Sequence, residues 1–201
     1  MRSTLLRVAL TAIAFLGAPA GQAQSLLENG NFDHPTDPLK GWITDYAWTG
    51  NSHYVGNKQH TSIVTEGTRK NVVKFGSAGD AGVKMESRAF PLEPGFKYVC
   101  NLDIKGGYRL YFAGYQWAPG TKPHENPELG ELRMVYQSKA TTGTSDAWKS
   151  EKFEIPGVTL SPHALTHLKK VRFLTLYIYM GLPGAVDNVT LTKVPDPSMK
   201  F

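Results

Sequence analysis

Residues 108–117, YRLYFAGYQW, carry the densest set of side chains that could do chemistry in this 201-residue chain. At the two-residue period of a strand, Leu110 and Phe112 share one face. Arg109, Tyr111, Tyr115 and Trp117 then share the other. Such a face would be unusual if only water met it. Flat rings stack on the C–H faces of sugar rings while polar neighbours hydrogen-bond the hydroxyls, so the chemistry on offer is capture of a saccharide. Residues 171–180 repeat the pattern, with Val171, Phe173, Thr175, Tyr177 and Tyr179 on one face and Leu174, Leu176 and Ile178 on the other. Trp48, with Tyr46 and Tyr54, would rim the site from an early loop. The competing reading places any of these rings in a core, because a sandwich buries the inner faces of both its sheets.

Catalytic constellations are harder to find. Glycoside hydrolysis typically needs two carboxylates about 5–9.5 Å apart across the scissile bond. Asp103, Glu125, Glu128, Glu131 and Asp146 could be gathered by folding, but no local motif marks them. The chain has no GxSxG elbow and no glycine-rich phosphate loop, and Gly79 to Gly82 is a turn around Asp80. A lyase using Tyr with His or Arg is the remaining catalytic alternative. His34, His53, His60, His124, His163 and His167 fall in loops or one short helix and read as solvated. His163 and His167 would share a helical face, but no third ligand joins them. The single cysteine, Cys100, lies between apolar neighbours and reads as a small buried hydrophobe.

Elements that would position the rings follow from the same alternation. It runs through 83–88 and 96–105, where Phe96, Tyr98, Cys100, Leu102 and Ile104 share a face. Further strands are expected at 61–65, 71–75, 108–117, 131–138, 148–155, 171–180 and 185–194. Gly67, Pro94-Gly95, Gly106-Gly107, Pro156-Gly157 and Pro183-Gly184 separate them. Many short strands with regular glycine and proline punctuation predict an all-β, two-sheet antiparallel sandwich. At most one short helix is expected, over 161–169, with Ser161 as N-cap and Pro162 in its first turn. The opening stretch 26–42, LLENGNFDHPTDPLKGW, would turn at Asn29-Gly30, enter a strand at Phe32 and bury Trp42.

The first 23 residues read as an address. Arg2 and Arg7 precede a short apolar run, Val8 to Ala18, and then small residues ending at Ala23. The run is about half of the ~20 residues a membrane-spanning helix needs, so no membrane insertion is expected. Residues 24–201 would then be one exported β domain, secreted, periplasmic or extracellular. Without Arg2 and Arg7, 20 basic residues face 17 acidic ones, a net of +3. The basic residues are scattered rather than striped, which argues against nucleic acid as a partner.

The motifs LLENGNFD…GW, LEPGFKYVCNLDIKG, SDAWKSEKFEIPG and AVDNVTLTKV follow one another in an order and spacing that resemble a known family. It is that of the galactose-binding-like jelly rolls, in particular carbohydrate-binding modules of the kind appended to cellulases and xylanases. The resemblance implies a non-catalytic module that binds poly- or oligosaccharide. It further implies a structural calcium held by an acid after the N-terminal Phe and by an Asp before the last strand, here Asp33 and Asp187. Asn188 stands where a second acid often follows that Asp. Trp42 and Trp148 match positions that are core in the family. Residues 108–137 match the family poorly, and they are where ligand contacts would fall. With no catalytic domain attached, the alternative is an envelope or extracellular assembly protein whose partner is another protein.

Overall fold

The computed structural model describes residues 24–44, 60–77, 82–115, 146–155 and 169–200, with the backbone alone of 54–55 and 133–137. In chain order the strands are β1 (Trp42–Ile43), β2 (Tyr54–Val55), β3 (Thr61–Glu66), β4 (Arg69–Phe75), β5 (Gly82–Ser87) and β6 (Phe90–Pro91). They continue with β7 (Phe96–Lys105), β8 (Tyr108–Tyr115), β9 (Arg133–Gln137), β10 (Lys149–Ile155), β11 (Phe173–Met180) and β12 (Gly184–Pro195). The long strands fall where alternation places them; β1, β2 and β6, two residues each, are too short to show a period. Among the described residues there is no α-helix, and of the helix expected over 161–169 all but Lys169, which lies in a turn, fall outside the described residues.

Two sheets result. One runs β1-β5-β11-β8-β9, with β2 added to β5 and β6 to β11; the other runs β10-β7-β12-β4-β3. All pairings are antiparallel except β2 with β5. From β4 onward the chain passes repeatedly between sheets, as a jelly roll does, and the architecture is the two-sheet sandwich expected. Leu110, Phe112, Leu174, Leu176, Ile178 and Met85 face inward from the seven-stranded sheet. Tyr98, Cys100, Ile104, Val186, Leu191, Val73 and Phe75 meet them from the other. Tyr98 keeps its hydroxyl satisfied in this core, accepting from the Glu93 N–H at 2.7 Å and donating to the Pro91 carbonyl at 3.1 Å. Burial pushes the Cys100 thiol up to about 12, which suits a packing residue and not a nucleophile.

The chain's opening stretch lies along the last strand. Leu26 N–H donates to the Leu191 carbonyl at 2.7 Å, and Val189 N–H to the Gly30 carbonyl at 2.7 Å. Here two expectations change. Asn29 takes a left-handed φ of 52°, but the next left-handed residue is Phe32 (φ 57°), not Gly30. Gly30 serves close approach instead: a Cβ there would stand 1.7 Å from the Val189 carbonyl oxygen. Phe32 is fully buried in this irregular segment rather than starting a strand. Its ring packs on Trp42 with centroids 5.5 Å apart, and Trp42 Nε1–H donates to the Asn29 carbonyl at 3.2 Å. Trp42 is thus a core residue, as expected.

Candidate ligand-binding face

The outer face of the seven-stranded sheet is built by register. Phe173 stands opposite Tyr115, Thr175 opposite Ala113, Tyr177 opposite Tyr111 and Tyr179 opposite Arg109. On the other side of β11, Tyr177 meets Glu86 and Tyr179 meets Lys84. Even-numbered residues of β8 and β11 are sealed in the core, so this odd-numbered set must face away from it. One cross-strand row therefore reads Arg109, Tyr179, Lys84, and the next reads Tyr111, Tyr177, Glu86 and Ile43. Over 109–115 and 173–179 the division of faces expected from the sequence is the one found, whereas Val171, expected on the outer face, joins the core.

Depth differs across that face. Arg109, Tyr111, Tyr177 and Tyr179 are partly exposed. Tyr115 is only 4% exposed and does not reach a ligand in solution. It buttresses instead: its hydroxyl lies 2.5 Å from that of Tyr177. Burial, and after it the Glu86 charge, push the Tyr115 hydroxyl up to about 12 against the opposing hydrogen bond with Tyr177, and Tyr177 rises further for the same leading reason. Glu86, 6% exposed, hydrogen-bonds the Tyr177 hydroxyl, so a buried carboxylate holds the ring's edge. Lys84 Nζ lies 3.9 Å from the Tyr177 ring centroid, a cation–π contact. Burial lowers the Lys84 pKa, with Glu86 opposing. Arg109 Nη1 donates to the Tyr111 hydroxyl at 3.2 Å. The Tyr179 ring lies over Gly82, where an added Cβ would come 2.2 Å from it. Glycine at that position gives the ring its flat seat.

Sequence reasoning singled out Tyr111, Tyr115, Tyr177 and Arg109, and the structure brings all four together. It missed Lys84, Glu86 and Gly82 as members of the face. Their alternation in 83–88 was visible, but which strand would lie beside β11 was not. Trp117 and Trp48 lie outside the described residues.

The outer face of the five-stranded sheet holds a second polar cluster. Asp103 and Asp187 stand opposite each other in the β7–β12 ladder, just before a bulge that puts Asn188 at a φ of 51°. Arg69 Nη1 reaches Asp103 Oδ2 at 2.8 Å and Asp187 Oδ2 at 3.1 Å. Asn188 Nδ2 and Ser150 Oγ donate to Asp103 at 2.9 and 2.6 Å, and the Asn188 N–H to Asp187 Oδ1 at 2.8 Å. Asp33, at the surface, accepts from Asn71 Nδ2 at 2.8 Å and Asn31 Nδ2 at 3.0 Å. This donor set does not fit a calcium shared by Asp33 and Asp187. The 4%-exposed Asp187 already has a guanidinium where the cation would stand, and amide N–H groups face Asp33. Among the described residues no group of three or more acids, histidines or cysteines could hold a metal. Trp148 departs from its expected core place as well. It lies partly exposed beside this cluster, with the Arg69 guanidinium 4.5 Å and the Lys105 ammonium 5.3 Å from its ring centroid.

No protein-family model and no curated protein sequence matches the chain. Solved structures with which it superposes include carbohydrate-binding modules. One, described as "CBM4 structure and function", is 12% identical at a TM-score of 0.46, over 84% of this chain and 99% of that one. The CBM22-1–GH10 modules of Clostridium thermocellum endo-1,4-β-D-xylanase 10B, complexed with xylohexaose, are 14% identical at 0.46, over 86% of this chain and 28% of theirs. TmCBM61 in complex with β-1,4-galactotriose is 16% identical at 0.42, over 86% and 100%. Likeness of this degree leaves the ligand to be read from the sheet face itself.

Proposed function

We propose that the chain is an exported, non-catalytic saccharide-binding module whose binding face is the outer surface of the seven-stranded sheet. One observation carries the reading: Tyr111, Tyr177 and Tyr179 hold adjacent cross-strand positions there, each partly open to solvent. A face turned only to water favours short polar and charged residues, whereas rings held at their edges by hydroxyl and carboxylate contacts form a fixed stacking surface. Lys84 and Arg109 stand beside the rings as directed polar groups, the composition a sugar site uses. Export belongs to the proposal through the leader-like residues 1–23.

Calorimetric titration of the chain with a panel of neutral and acidic glycans tests it. At least one glycan is expected to bind, and Tyr111→Ala and Tyr179→Ala are each expected to weaken it about tenfold or more with the thermal midpoint retained, in line with about 1–3 kcal/mol for a lost stacking contact. Absence of heat with every glycan at millimolar sugar would overturn the proposal.

A further inference from the structure

Of the eight asparagines in the sequence, Asn29 alone precedes a glycine. That dipeptide is where an asparagine amide is most easily lost, because no side chain on the following residue hinders attack by its backbone nitrogen. We infer that Asn29 is a latent deamidation site. The fold holds its amide closed, and an opening of the N-terminal segment exposes it to a change that the segment cannot then accommodate. In the reaction the Gly30 nitrogen bonds to Asn29 Cγ, the Cγ–Nδ2 bond breaks, and the Gly30 proton leaves on the departing ammonia. Water then opens the cyclic imide at either carbonyl, giving aspartate or isoaspartate, with no oxidant or reductant involved.

Three hydrogen bonds close the site. Asn29 Nδ2 donates to the Pro38 carbonyl at 2.8 Å and, at a longer 3.4 Å, to that of Lys40, while Oδ1 accepts the His34 N–H at 3.0 Å. The backbone is pinned as well: the Asn29 carbonyl accepts the Phe32 N–H at 3.1 Å and Trp42 Nε1–H at 3.2 Å. Gly30 is buried, and its carbonyl holds the Val189 N–H of the last strand. Cγ cannot swing onto the Gly30 nitrogen until the side-chain bonds break together. The product does not fit this setting. Aspartate puts an oxygen that only accepts where Nδ2 donated to two carbonyls. Isoaspartate also lengthens the main chain by one carbon, at a point where even a Cβ on Gly30 would stand 1.7 Å from the Val189 carbonyl oxygen. Either product loosens the loop from His34 to Lys40 and, through Trp42, disturbs β1 at the edge of the seven-stranded sheet.

Incubating the full chain at mildly alkaline pH, folded and in denaturant, and following every asparagine by peptide mapping tests this. In denaturant Asn29 is expected to convert ahead of the other seven. The folded chain should convert it about tenfold or more slowly, since attack must await a local opening. Returned to native buffer, the converted chain should unfold at a lower temperature than unconverted chain carried through the same cycle. Equal rates folded and unfolded would overturn the closure, and an unchanged midpoint after conversion would overturn the misfit. Asn29→Asp should reproduce the lowered midpoint, whereas Asn101→Asp, exposed on the other sheet, should not. An Asn29→Asp midpoint equal to that of the unaltered chain would sink the misfit as well. A variant too unstable to fold would agree with it, and the folded and unfolded rates, read on the unaltered chain, decide the closure without any variant.

Discussion

Tyr177 shows what a single residue does on this face. Its partly exposed ring lies under Lys84, while its hydroxyl is tied to Tyr115 and the buried Glu86. Removing the hydroxyl alone, in Tyr177→Phe, leaves two buried polar groups short of a partner, at about 1–2 kcal/mol. The thermal midpoint should fall by about 2–8 °C for a domain of this size, with glycan binding kept because the ring remains. An unchanged midpoint would show that the hydroxyl pair contributes nothing. Alternation told which way Tyr115 and Tyr177 point, because side-chain direction is local. It did not tell that Tyr115 is sealed while Tyr177 stays partly exposed, since depth depends on neighbours distant in sequence.

At the scale of elements, β4, β7 and β12 are joined on their outer side by Arg69, Asp103 and Asp187. Arg69→Gln leaves two carboxylates facing each other, one of them buried, and should cost about 3 kcal/mol, the low end for breaking a buried pair. Burial alone would raise the Asp103 carboxyl, but Asn188, Ser150 and Arg69 outweigh it and hold it below the ordinary carboxylate value. The sign follows: this stability is complete above the unfolded value of about 3.9 and is lost as pH falls through the lower folded value. Unfolding midpoints should accordingly drop between about pH 5 and pH 2 more steeply for the unaltered chain than for Arg69→Gln. In the same measurement calcium and a chelator should give one midpoint, because an ion bound only by the native state would raise it. A rise with calcium in the unaltered chain would contradict the guanidinium's place in the cluster. The family resemblance singled out Asp33 and Asp187; that Asp33 would face Asn31 and Asn71, and Asp187 the Arg69 guanidinium remote from it along the chain, was not legible.

At the scale of the whole molecule, among the described residues the N-terminal segment is held to the last strand from Ser25, whose Oγ accepts the Leu191 N–H at 3.1 Å, and from Leu26. Cleavage after Ala23 would leave both contacts intact, so N-terminal sequencing of the exported product should begin at Gln24. A product that retains Arg2 and Arg7 would refute the leader reading. Strand positions, the sandwich, the inward and outward sets on β8 and β11, and the core roles of Trp42 and Cys100 were all decided by residue order, since a two-residue period and turn chemistry act within a few positions. Tertiary structure alone decided that β5 would lie beside β11 and bring Lys84 to Tyr177, that Trp148 would sit outside the core beside two cations, and that Arg69 would reach Asp187. Each of these is a pairing between remote segments, set by sheet order and by a bulge, and no local pattern encodes it.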